Sequence, residues 1–314
     1  MATNPAGFTP GAPATILAMP SPGFANLTND LVLHLRFDDD LTDSSGLMHD
    51  GVSNGAPTFV AGLIGTGAVQ VSATVNSSNY NYVSIPYSTD LALLSTDAFS
   101  LSLWINYTGT PDDLPIIGDA VGSTFQQGWV LADKNGELMW TLVDTNGSSV
   151  LANPAGGPSL NDGKWHNLIL SCDGAIGTAD TYIDGAWVAS RSVSGLDTLD
   201  TGQPICLGQD PTGAYAIDGA FQIDDLGIWR RPLTYYDAQA IFTLGQKYGL
   251  SFDTYGPVLL TQTPDGNGFQ LIWQAGLLME AETIDGPWTP VPGAVAPLYT
   301  VTPGTGNKFY RVKL

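Results

Sequence analysis

Carboxylates give this 314-residue chain its chemical capacity: 30 Asp and Glu stand against 10 Lys and Arg, for a net charge of −20. Two groupings matter. Asp38-Asp39-Asp40, followed by Asp43 and Ser45, concentrates oxygens near one end, and Asp224-Asp225 places two more inside the apolar run Phe221–Trp229. Oxygen-rich clusters suit a hard cation such as calcium, which takes about six to eight oxygen ligands. The same residues equally serve turns and caps, because short acidic side chains bond the nearby backbone. Acid–base catalysis finds less to work with. Adjacent residues of a strand point to opposite faces, so Asp224 and Asp225 are not expected to act as one pair. Glu occurs only at 137, 280 and 282.

Other reactive side chains are few. The three His are 34, 49 and 166, and no Cys or His lies at metal-ligand spacing from either cysteine; no Gly-x-Ser-x-Gly elbow is present, and the glycine-rich Gly62–Gly67 follows no phosphate-binding pattern. Cys172 and Cys206 fall in predicted strands; they could pair or stand as buried thiols. A surface this acidic is the wrong partner for nucleic acid or anionic membrane, since phosphate binding rests on Lys and Arg. No run of 18 apolar residues exists to span a bilayer, and Met1-Ala2-Thr3-Asn4 lacks the basic start of a signal peptide.

The elements that must position these groups are strands and tight turns. Gly (37) and Pro (21) are abundant. Leu31–Phe37 and Phe99–Ile105 alternate apolar and polar residues. Trp129–Ala132 and Leu138–Leu142 flank Asn135-Gly136, a dipeptide that takes φ > 0 at both turn positions and so predicts a hairpin. His166–Cys172, Thr181–Ile183 ending at Asp184-Gly185, and Ile205–Leu207 add more strands. One helix is expected, opened by an N-cap at Thr234 with Asp237 as its capping-box partner. Residues 1–29 form a Pro/Gly/Ala-rich arm, expected to lie on its own domain or on a neighbour in an assembly. Residues 30–249 form one large all-β domain. Gly249–Pro257 is expected to be a linker, and 250–314 a small β-sandwich.

Five segments, in order, resemble the laminin-G-like, concanavalin A-like jelly-roll family: Leu35-Arg36-Phe37-Asp38 with Asp43-Ser44-Ser45-Gly46; Phe99–Trp104; Gly163-Lys164-Trp165-His166-Asn167; Tyr182-Ile183-Asp184-Gly185; and Ile223-Asp224-Asp225-Leu226 with the Pro232-Leu233-Thr234 helix start. The resemblance implies two antiparallel sheets, one of them concave, and often a structural Ca2+ joining first strand to last. Carried over residue by residue, Asp38, Asp43 and Asp224 are the implied ligands, with a carbonyl from Gly46; Asp225 would face solvent or a turn. His166 is implied to be structural. The stretch 250–314 is similar to small sandwich modules of bacterial surface proteins.

The family's glycosidases carry an alternating Glu-x-Asp-x-Glu strand, which is missing here; the only alternating pair, Glu280 and Glu282, lies in the C-terminal stretch. Glycoside hydrolase and polysaccharide lyase therefore rank behind a non-catalytic recognition or adhesion protein that binds glycan or a surface protein. It would be extracellular, on a bacterial cell or on a phage particle. The alternative is a structural virion or filament component docked through residues 1–29, as a homo-oligomer or with assembly neighbours. Sugars stack on exposed rings and are held by amides and carboxylates, so Tyr80, Tyr82, Gln127 and Trp129 are the candidate ligand-binding residues, with Trp140, Trp187 and Tyr215 behind them.

Overall fold

The computed structural model describes residues 26–93, 97–121, 127–153, 155–254, 261–265, 268–273, 277–295, 298–301 and 308–313. It divides into two compact units, one spanning Phe24–Thr254 and the other including Tyr255–Leu314. In chain order the first unit contains β1 (Leu31–Leu35), β2 (Val52–Asn54), β3 (Thr58–Val60), β4 (Ala68–Thr74), β5 (Asn79–Ile85), β6 (Phe99–Asn106), β7 (Asp112–Gly118), β8 (Gly128–Lys134), β9 (Glu137–Val143), β10 (Ser149–Ala152), β11 (His166–Asp173), β12 (Thr178–Ile183), β13 (Ala186–Ser192), β14 (Ile205–Leu207), β15 (Gly219–Trp229) and α1 (Tyr235–Thr243).

These strands make an antiparallel two-sheet jelly roll. The first sheet runs β3-β4-β15-β6-β11-β12-β13, with β1 also on β15. The second runs β5-β14-β7-β8-β9-β10, with β2 also on β5. Leu101, Leu103, Leu168 and Ile223 from the first sheet meet Trp129, Leu131, Trp140 and Leu142 from the second in one core. A polar bond crosses it: the Trp140 indole N–H donates to Thr181 Oγ1 at 2.9 Å, which satisfies two groups that burial would otherwise penalise.

Local chemistry sets the turns. Asn135 and Gly136 both have positive φ (56° and 90°), as do Asp184 and Gly185 (53° and 71°), closing β8–β9 and β12–β13 as two-residue hairpins. The capping box at the start of α1 is complete: Thr234 accepts from the Asp237 N–H, and the Asp237 carboxylate accepts from the Thr234 N–H. Both cysteines are free and buried, and burial pushes the Cys206 thiol up to about 12.

The outer face of the first sheet is closed by α1 and the wide turn Leu244–Tyr248 that continues it. Trp104, on that face, stacks on Phe242 with ring centroids 5.7 Å apart. Gly245 lies so close that a Cβ there would stand 2.3 Å from the Trp104 ring. No helix covers the outer face of the second sheet among the described residues.

The first unit also ends later than the glycine-rich stretch suggests. Phe252, expected in the linker, is buried against His34 (centroids 4.3 Å) and Trp229 (4.8 Å). Residues 251–254 therefore belong to the jelly roll. The second unit contains β16 (Thr261–Asp265), β17 (Gly268–Ile272), β18 (Leu277–Ala281), β19 (Thr289–Pro290), β20 (Leu298–Val301) and β21 (Phe309–Lys313). They form two three-stranded sheets, β16-β17-β20 and β19-β18-β21, which share a core of Leu271, Trp273, Leu278, Val291 and Val301.

Candidate functional site

A groove of about 230 Å³ opens on the outer face of the second sheet. Its floor is set by strand periodicity. Trp129, Leu131, Trp140 and Leu142 point into the core, so their neighbours Val130, Ala132, Met139, Thr141 and Val143 face outward and line the groove. The wall carries the polar groups. Asp113 sits where β7 slips register against β8, with φ of 76°, and this bulge turns its carboxylate into the groove. The Tyr215 hydroxyl, from the loop after β14, donates to Asp113 Oδ2 at 2.6 Å and holds the ring at the rim. Burial and that bond raise the phenol's pKa, so it stays a neutral donor. Asp210, from the same loop, also lines the groove and accepts from the Thr212 N–H at 3.0 Å. Lys134 is the only Lys or Arg among the described lining residues, and its ammonium is bound to Asp112 at 2.6 Å.

The ring positions expected from sequence divide. Trp129 is 1% exposed and lies in the core, so no sugar can stack on it in the folded protein. Trp140 is fully buried. Both strands are apolar on both faces, and this hides which residue of each neighbouring pair turns inward. Tyr80 is half-buried and packs on the core. Tyr82 is half-buried and is not among the described lining residues of the groove: its hydroxyl abuts Gly213, and burial followed by the nearby Cys206 and Asp210 raises its pKa. Gln127 precedes the lining residue Gly128 and donates to the Asp200 carbonyl. Tyr215 is the outlying candidate that reaches the groove itself. Asp113 is missing from the sequence-based candidates; its only sequence signal is the pair Asp112-Asp113 ahead of Pro115.

The expected cation ligands also divide. Asp224 and Asp38 hold the same glycine loop. Asp224 Oδ2 accepts from the Leu63 and Ile64 N–H groups at 2.8 and 2.9 Å. Asp38 Oδ1 accepts from the N–H groups of Thr66 and Gly67. A Cβ at Gly62 or Gly65 would collide with these carboxylates, so the loop needs its glycines. Asp224 Oδ1 is buried without a partner, and burial together with the charges of Asp225 and Asp38 pushes the carboxyl up to about 8. Asp43 stands apart. Its oxygens accept from the N–H groups of His34, Ser45 and His49 and from the Ser45 hydroxyl. Gly46 lies in the loop that these bonds fold. Among the described residues, no three His, Cys, Asp or Glu side chains converge as a metal site.

Asp225 is 1% exposed, against the expectation that it faces solvent or a turn. β15 carries a bulge between Asp224 and Gly227, and Asp225 takes φ of 46° there. The bulge breaks strand alternation and turns both acids inward. Asp225 Oδ1 meets His34 Nε2 at 2.8 Å and accepts from the Ser251 hydroxyl at 2.6 Å, while His34 Nδ1 meets Ser44 Oγ at 2.7 Å. Ser44, His34 and Asp225 thus have the bonding order of a charge-relay triad. They lie on or beside the first sheet's strands β1 and β15, away from the groove, where they pin the 43–46 loop and the 251–253 segment to the fold. His166 is structural in the same way, bonded through Nδ1 to Asp184 at 2.8 Å, and that carboxylate raises its pKa.

A family model described as the concanavalin A-like lectin/glucanases superfamily matches residues 77–239, more than half of the sequence. The chain belongs to that superfamily. Botulinum neurotoxin type X of Clostridium botulinum is 22% identical over 211 residues, covering 64% of this chain and 15% of the toxin. Paraclostridial mosquitocidal protein 1 of Paraclostridium bifermentans is 23% identical over 155 residues, covering 46% of this chain and 12% of that protein. This superfamily member therefore spans a small part of the curated relatives it matches. Among solved structures, the binding domain of Paraclostridial Mosquitocidal Protein 1 superposes with a TM-score of 0.56 at 18% identity, covering 84% of this chain and 64% of that one. The botulinum neurotoxin serotype D ligand binding domain in complex with N-acetylneuraminic acid gives 0.54 at 17% identity, covering 84% and 68%. At these identities the likeness establishes the fold.

Proposed function

We propose that the jelly-roll unit is a non-catalytic recognition domain, acting outside the cell, that binds a neutral glycan in the groove of its second sheet. The fixed Tyr215–Asp113 pair carries this reading: a ring at the rim for a pyranose face, with a carboxylate oxygen beside it to accept hydroxyl protons. Pockets that hold small ligands combine an apolar floor with a few placed polar groups, and this groove has both. The relatives support recognition, since matching solved domains are described as binding or receptor binding domains. One of them is in complex with N-acetylneuraminic acid, an acidic sugar. The present groove favours a neutral one, because Asp113 and Asp210 face it and the Lys134 ammonium is held by Asp112.

An array of neutral and sialylated glycans probed with wild type and Tyr215→Ala tests this. Binding of a neutral glycan that weakens in the variant is the expected result; an array without any glycan signal refutes the reading. The structural-component alternative rests on residues 1–29, of which 1–25 lie outside the described residues. The end of that stretch is fastened to its own domain: the Leu27 carbonyl accepts from the Trp229 indole at 2.6 Å, and the Asn29 carbonyl from Arg231 at 3.1 Å. Display on a bacterial cell or phage particle remains part of the proposal.

A structural calcium ion is proposed at Asp38 and Asp224 only. The unpartnered Asp224 Oδ1 and the nearby Asp38 carboxylate fit a hard cation, whereas the oxygens of Asp43 are already engaged. Melting with calcium and with chelator checks it: a higher midpoint with calcium, absent in Asp224→Asn, is expected, and an unchanged wild-type midpoint removes the ion.

A further inference from the structure

The largest exposed rings among the described residues of the jelly roll are not in the groove. Trp187 on β13 is 55% exposed, and Tyr235 and Tyr236 at the start of α1 are 45% and 54% exposed. Rings of this size are costly to leave in water, and a group of them on one surface marks a contact site.

Topology puts the three on one side of the molecule. Trp187 pairs across the hairpin with Tyr182. The charges of Asp180 on β12 and Asp237 on α1 both act on the Tyr182 phenol, so this row of the first sheet faces the helix. Tyr235, Gln239 and Phe242 share a helix face by their spacing of four and three. That face meets the Asp184-Gly185 turn, where a Cβ on Gly185 would stand 2.9 Å from Phe242 Cβ and 3.3 Å from Gln239 Cα. Trp187 comes two residues later. Polar groups frame the rings. The Trp187 indole N–H donates to Asp180 Oδ1 at 3.3 Å, the Gln239 amide donates to the Tyr235 hydroxyl at 2.7 Å, and the Tyr235 and Tyr236 rings meet edge to face at 5.7 Å.

We propose that Trp187, Tyr235 and Tyr236 form a second glycan-binding platform, on the opposite sheet from the groove, for a neutral oligosaccharide. Exposed ring faces suit the apolar faces of pyranose rings, and the Asp180 carboxylate and Gln239 amide suit hydroxyls. Arg231, just ahead of α1, is bound to Asp237 at 2.9 Å, and the protein as a whole carries −20. An acidic sugar would be repelled. This inference rests on the recognition reading above but uses different residues.

Nuclear magnetic resonance of the full chain separates the two sites. The probes are three linear hexasaccharides: a β-1,4-glucan, a β-1,4-linked N-acetylglucosamine oligomer and an α-1,4-glucan. The expected result is a saturable shift of the Trp187 indole N–H resonance, assigned by its loss in Trp187→Phe. Binding at the platform should weaken about tenfold in Tyr236→Ala and stay unchanged in Tyr215→Ala, with each variant still giving a cooperative melt. A shift abolished by Tyr215→Ala but indifferent to Tyr236→Ala overturns the platform and leaves the groove. Platform binding that depends on Tyr236, beside a second set of shifts lost in Tyr215→Ala, keeps both sites; the same platform binding with no shift that depends on Tyr215 keeps the platform and refutes the groove. No shift with any probe overturns the platform outright. So does conversion of an oligomer to monomer by Tyr236→Ala without effect on sugar, which would make the patch a subunit interface.

Discussion

The outer faces of the two sheets are built from similar strand material and end differently. On the first sheet, Trp104 is fully buried because Phe242 stacks on it and Gly245 lets the backbone close over it. On the second sheet, Val130, Met139 and Val143 also point outward, yet no helix among the described residues is laid over them, and a groove remains. A helix that closes one face with its own aromatic ring leaves the other face, and the rings at its own margin, open to solvent. Charge sharpens the contrast. The second sheet gathers Asp113 and Asp210 at an open wall, while two acids of the first sheet are engaged internally, Asp224 by loop amides and Asp225 by His34 and Ser251.

Trp104→Ala breaks the comparison most severely. It removes the ring that α1 closes on and should cost about 3–5 kcal/mol in denaturant unfolding. Trp129→Ala should cost a similar amount, since its ring lies in the core beneath the groove. A soluble, stable Trp129→Ala that had lost only ligand binding would reverse the assignment of faces.

Asp119 tests the second sheet's electrostatics. Its carboxylate accepts from the Trp129 N–H at 2.9 Å and the Thr201 hydroxyl at 3.0 Å, but burial pushes it up to about 7. Because the folded value lies above the unfolded one, the folded state retains a proton between about pH 4 and 7 that the unfolded chain has released. Stability attributable to this group therefore falls as pH rises through that window and levels off above it. Asp119→Asn should remove the slope and gain on wild type by about 2–4 kcal/mol between pH 4 and 8. Parallel pH profiles for the two proteins would contradict this.

Gly245→Ala probes the closed face more gently. The added methyl meets Trp104 and should cost about 1–3 kcal/mol, without changing binding in the groove. Tyr215→Phe should have the smallest effect on stability, about 1 kcal/mol for one hydrogen bond, while loosening the ring and weakening sugar binding.

The features legible in the sequence were local. Asn135-Gly136, Asp184-Gly185 and the Thr234–Asp237 box act within a few residues, and each formed as expected. The family match, over residues 77–239, agrees with the family those motifs resemble. The features that could not be read depended on pairing across the sheet. The bulges at Asp113 and Asp225 come from register slips against distant partners, and they decide which way both acids point. Trp129 and Val130 are equally apolar, so alternation alone could not say that the indole goes inward and the valine lines the groove. The acids expected to share a cation are divided by the fold: Asp38 and Asp224 meet on one loop, but Asp43 is committed to its own turn by four hydrogen bonds.

The central claim is that the open face of the second sheet binds a neutral sugar at Tyr215 and Asp113. Calorimetric titration with one oligosaccharide, with and without a terminal sialic acid, tests it most directly when run on wild type and Tyr215→Ala. The account predicts that the neutral form binds wild type at least about tenfold tighter than the sialylated form, a gap of about 1.4 kcal/mol, and that Tyr215→Ala erases the neutral binding. Equal or tighter binding of the sialylated form, or neutral binding unchanged in Tyr215→Ala, would contradict it.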